Sequence, residues 1–111
     1  MMMSNCNNLF ILFFSIREMY NLSNEIDMVL KLKELYTSLV DDGVIFLEEK
    51  PSLKGDLEKL FFFSKKGIEF CDEVLYAKDY PDDLFTDFKL KNEIITEEIV
   101  KLKEKIFPKN F

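Results

Sequence analysis

Residues 24–41 read NEIDMVLKLKELYTSLVD, and the order of apolar and charged side chains in that stretch decides the class of fold. Ile26, Val29, Leu30, Leu32, Tyr36, Leu39 and Val40 recur at helical spacing, the period that lays apolar groups along one side of an α-helix. Asn24 is a capping residue type, and Glu25 and Asp27 fall in the first turn, where the helix dipole favours negative charge. Asp42-Gly43 follows. Glycine after a last turn takes the left-handed cap conformation without steric penalty, so the spacing predicts a helix from Asn24 to Asp41.

Working outward toward the carboxyl end, Val44-Ile45-Phe46-Leu47 is a short apolar run that fits either a strand or the lead-in to a helix, and Pro51 ends it. Ser52 can cap a second helix that carries Leu53, Leu57, Leu60, Phe61 and Ser64 and closes at Lys65-Lys66-Gly67. Ile68, Cys71 and Leu75 predict a third, reaching Lys78. Pro81 disfavours helical geometry at Tyr80, so Asp79 to Asp87 reads as a loop ordered by Leu84, Phe85 and Phe88. Ile95, Ile99, Leu102 and Ile106 form the stripe of a last helix opening near Asn92 or Thr96, with Lys101, Lys103 and Lys105 at its end. The Phe61-Phe62-Phe63 trio covers most of a helix circumference, so at least one ring points to another helix, a partner or water. These patterns predict an all-α antiparallel bundle of four main helices in a single domain over 24–111. The alternative is an α+β fold with Leu9–Phe14 and Val44–Leu47 as strands.

Toward the amino end, residues 1–23 hold an apolar run from Leu9 to Ile16. It falls well short of the roughly 20 residues that span a bilayer, and a membrane location is not expected. Its first base, Arg17, comes after the run rather than before it, against the order of a secretory signal. A buried first element and an upstream extension ahead of a working start at Met19 are the remaining readings.

The chain has 111 residues and 12 Phe, enough apolar material for one small core. Its formal net charge of −6 is unevenly placed. Between Glu69 and Asp87 seven acids stand against one base, Lys78, a surplus equal to the whole net charge. Phe70, Tyr76, Tyr80, Phe85 and Phe88 are interleaved with them. Carboxylates mixed with large rings suit a surface that meets a basic protein. A solvated acidic face is the plainer reading of the same pattern.

Several classes of chemistry find no support. The chain has no histidine, which removes the commonest general base and the usual nucleophile systems. Its three glycines form no phosphate-binding loop. Cys6 and Cys71 make no CxxC pair, so neither a zinc site nor a disulfide framework is expected, and a reducing, cytoplasmic setting follows. Cys71 reads as a buried free thiol whose acidic neighbours raise its pKa. Asp79, Asp83 and Asp87 do not make a calcium loop: in EF-hand register Pro81, Leu84 and Leu90 occupy its third, glycine and bidentate-glutamate places. With one Arg and scattered Lys, direct nucleic-acid binding is not expected. The expectation is a non-enzymatic binding protein without cofactor or metal.

The run Cys71-Asp72-Glu73-Val74-Leu75-Tyr76-Ala77, the Asp/Pro-containing loop Asp79 to Asp83, and Glu97-Glu98-Ile99-Val100-Lys101-Leu102 ahead of Ile106-Phe107 resemble the carboxy-terminal half of the colicin-D-type bacteriocin immunity proteins. The resemblance implies a small helical bundle that binds a cognate nuclease toxin and blocks its basic cleft with carboxylates. By position it nominates Asp79, Asp82, Asp83 and Asp87. With their aromatic neighbours the expected partner-binding set is Asp79, Tyr80, Asp82, Asp83, Phe85 and Asp87. The rival function is an interaction subunit using an exposed Phe-rich apolar surface.

Overall fold

The computed structural model describes residues 11–12, 25–79 and 82–107, with the backbone alone at Asp82. Three long helices make up nearly all of it: α1 (Glu25–Glu49), α2 (Lys54–Leu75) and α3 (Asp82–Ile106). A single turn of 3-10 helix, Pro51–Leu53, links the first two, and there is no strand among the described residues. The class is therefore all-α, with three long helices among the described residues where four main helices were expected. Ile11 and Leu12 are also helical, with Leu12 packed against the core; the rest of the expected apolar segment lies outside the described residues.

The pairing directions follow from side-chain contacts. Lys33 meets Asp72, Tyr36 meets Gly67, and Gly43 meets Phe61, so α1 and α2 run antiparallel. Across α1 and α3, Glu25 meets Lys89, Tyr36 meets Asn92, and Phe46 meets Phe107, so those two run parallel. The result is an up-down-up bundle measuring 45 × 23 × 22 Å, with both flanking backbones lying closer to α2 than to each other. Large side chains fill the wider α1–α3 seam.

Both helix stops expected at glycine are corrected. α1 runs through Asp42-Gly43 and takes in Val44–Leu47, which excludes the strand alternative; α2 runs through Gly67, joining the expected second and third helices. Neither glycine has a positive φ, so neither is a left-handed cap. Each instead admits a ring. A Cβ at Gly43 would lie 2.6 Å from Cε1 of Phe61, and one at Gly67 would run into the ring of Tyr36. A glycine inside a helix costs about 1 kcal/mol relative to alanine. Continuing α1 past Gly43 buries Phe46, worth roughly 1.5–3 kcal/mol, and the burial wins.

Helix ends are set by proline and geometry more than by side-chain caps. Pro51 opens the 3-10 turn, where a missing N–H does no harm, and neither Pro51–Leu53 nor α2 has a side-chain hydrogen bond at its N-cap, so Ser52 is not the cap expected of it. At the far end of α2 the amide of Tyr76 donates to the Asp72 carbonyl at 2.9 Å, and the chain then turns into α3. α3 begins at Asp82, well before Asn92. Among its buried residues Phe88, Asn92, Ile95, Ile99, Leu102 and Ile106 alternate spacings of four and three, the seam of a packed bundle, with buried Thr96 beside it.

A buried polar contact crosses that seam. The buried Tyr36 hydroxyl donates to Oδ1 of the buried Asn92, joining α1 to α3 at the level where α2 carries Gly67. Tyr36→Phe keeps the ring against Gly67 and removes only the donor. Urea denaturation is expected to show a loss of about 1 kcal/mol; an unchanged midpoint would mean that the bond adds nothing to stability.

Candidate functional site

The acidic stretch occupies one end of the bundle, where α2 hands over to α3. Asp79 lies exposed in the connection, Asp82 and Asp83 open α3, and Asp87 follows one turn later. Acids at a helix start are favoured by the dipole whatever their use, and they explain why α3 begins directly after Pro81. The expected loop over Asp79–Asp87 is thus corrected: only its first residues connect, and Asp82 to Asp87 are helical. Tyr80 lies outside the described residues. Phe85 is half-buried against the core and supports this end from within.

Folding changes the charge balance of this end. Lys33 of α1 sits 2.7 Å from Asp72 and 5.7 Å from the Tyr76 ring centre. Lys91 lies 3.1 Å from Asp87, 3.5 Å from Glu73 and 5.3 Å from the Phe70 ring centre. Lys66 lies 3.8 Å from Glu69. All three lysines come from outside the stretch, so seven acids face Lys78 plus these three, and the surplus falls from six to three. The Asp72 hydrogen bond raises the Lys33 pKa, and the Asp87 hydrogen bond raises that of Lys91, so both stay charged at neutral pH.

What remains uncompensated is specific. Asp79 and Asp83 are exposed and make no ion pair among the described residues, whereas Asp87 shares Lys91. Tyr76, three residues before Asp79, is 76% exposed. A shallow depression along the start of α3 is lined by Asp83, Leu84, Thr86, Asp87 and Leu90. The structure therefore brings Asp83 and Asp87 together and adds Leu90, which stands outside the expected set; Asp79 and Tyr76 lie exposed in the connection ahead of them. A helix phase carried back to Asp82 would have found Leu90.

Other features are chemically quiet. Cys71 is buried against the core, and burial first, then the Asp72 charge, push its thiol up to about 12. The thiolate is the reactive form, so site-resolved alkylation at pH 8.5 is expected to leave Cys71 unmodified in the folded protein and to label it in urea. Fast labelling of the native protein would contradict its burial. Among the described residues no group of three potential ligands is placed to hold a metal ion, and no helix is long and apolar enough to cross a membrane.

The other candidate surface is the phenylalanine trio. Phe61 and Phe63 pack against the core while Phe62 is 57% exposed, edge-on to Phe63 with Lys66 6.0 Å from its ring centre. A shallow groove there is lined by Gly55, Glu58, Lys59, Phe62, Phe63 and Glu98.

Fold and site together describe a small helical bundle, with three long helices among the described residues and a carboxylate-rich corner. Comparison of the chain with protein-family models, with curated proteins and with solved structures finds no match.

Proposed function

We propose that this protein is a non-enzymatic, acidic helical binding protein whose partner is a basic protein, in the manner of an immunity-type inhibitor that covers the basic cleft of a nuclease toxin. The observation that carries the reading is that Asp79 and Asp83, either side of the α2–α3 connection, are exposed without ion pairs among the described residues, with an exposed Tyr76 three residues before Asp79. Carboxylates already paired with lysine must give up that partner before binding another; these two do not. Unpaired acids supply electrostatic steering, and an exposed ring in the same connection supplies a contact that slows release. The proposed setting is the cytoplasm, where Cys71 stays reduced.

Capture from native cells tests it. The protein is expected to retain a basic protein at low salt and to release it as salt rises, because contacts between exposed charges are screened over roughly 10 Å at 0.1 M. Phe62 favours a second reading, an interaction subunit with an apolar contact. A partner held equally well at high salt would support that reading and sink the first.

A further inference from the structure

The face of α3 turned away from the bundle has its own pattern. Asp83, Asp87, Leu90 and Ile94 lie within about 60° of one another around the helix axis at 100° per residue, opposite the buried Phe88, Ile95 and Ile99. Leu90 is 59% and Ile94 64% exposed. Exposed apolar residues are ordinary when scattered singly. These two stand one turn apart, and Asp83, Glu93 and Glu97 around them are exposed with no ion pair among the described residues. An aliphatic centre with a charged rim is the anatomy of a protein interface, and here the rim is mainly negative, since Lys91 on this side is held by Asp87 and Glu73. From Asp83 to Glu97 it runs about 21 Å along one helix.

We infer that this face docks a basic amphipathic helix of the partner, laid along α3 with an apolar pair against Leu90 and Ile94 and lysines or arginines reaching Asp83, Glu93 and Glu97. The inference rests on the proposed function and deepens it by naming the contacting element. Charge complementarity selects the occupant. A purely apolar helix would leave the carboxylates facing greasy surface, and a basic segment without helical periodicity would leave Leu90 and Ile94 uncovered.

The test uses the full-length protein labelled for amide NMR and two synthetic peptides of identical Leu/Lys composition. One has leucines at positions i, i+3, i+4 and i+7; the other is scrambled so that no apolar stripe forms. The stripe peptide is expected to shift the amides of residues 83–97 and to bind on the order of tenfold more tightly than the scrambled one. Leu90→Ala with Ile94→Ala is expected to remove that advantage without disturbing the fold, since both side chains are exposed and alanine favours helix. Equal binding by both peptides, with shifts centred on Asp79 and Asp83, would overturn the helix-docking inference while leaving the acidic corner as the site. Shifts centred on Phe62 would also overturn it, and binding by neither peptide would overturn both readings.

Discussion

Gly67→Ala is expected to lower the unfolding free energy by about 2 kcal/mol, although alanine is the better helix former by about 1 kcal/mol. The Cβ would enter the ring of Tyr36, which is fully buried and held at its far end by the bond to Asn92, so the ring cannot swing aside without breaking that contact. Gly43→Ala meets Phe61, which is only partly buried and freer to shift, and its loss is expected to be smaller. At Gly55 a Cβ meets nothing within 4 Å, and alanine there is expected to be neutral or stabilising by up to about 1 kcal/mol. Urea titrations of the three variants check the order. Equal losses at Gly43 and Gly67 with a normal Tyr36 environment would point to backbone conformation rather than ring packing as the cause.

Reversing two exposed charges is expected to have the largest effect on binding. Asp79→Lys combined with Asp83→Lys should weaken association with the captured basic partner on the order of 100-fold or more at low salt, mainly by slowing encounter. Neither residue makes an ion pair within the described part of the protein, so stability should change by no more than about 1 kcal/mol, the share owed to Asp83 near the start of α3. Asp87 is a weaker target because Lys91 shares its charge. Reversal at Glu69, which lies 3.8 Å from Lys66 within α2 and outside the connection, serves as the control and should matter little. Surface plasmon resonance across a salt series separates the outcomes: unchanged binding by the double reversal would move the interface away from the corner.

The helical class was legible because the stripe Val29, Leu32, Tyr36, Leu39 has one period, and the same residues are buried in α1. The number of helices was not. Gly43 and Gly67 carry the same local signal as a helix cap, and what distinguishes a cap from a packing notch is a ring on another helix, Phe61 for one and Tyr36 for the other. No window of sequence that contains Gly67 alone also contains Tyr36. Pro81 correctly marked a break, but it concealed that a helix resumes at once, so Leu90 and Ile94 were never placed on a face. The charge surplus from Glu69 to Asp87 was legible in size but not in availability. Lys33 and Lys66 precede the stretch and Lys91 follows it, and folding brings them to Asp72, Glu69 and the Glu73–Asp87 pair.

The corner itself can be interrogated by amide hydrogen exchange on the free protein and on its complex with the captured partner. Residues 76–79 and the first turn of α3 are the exposed, incompletely hydrogen-bonded part of this end, where exchange in the free protein is fast enough for protection to be seen. Binding through Asp79 and Asp83 predicts slowed exchange there, with the surroundings of Phe62 unchanged. Slowed exchange around Phe62 with none between residues 76 and 87 would contradict the account.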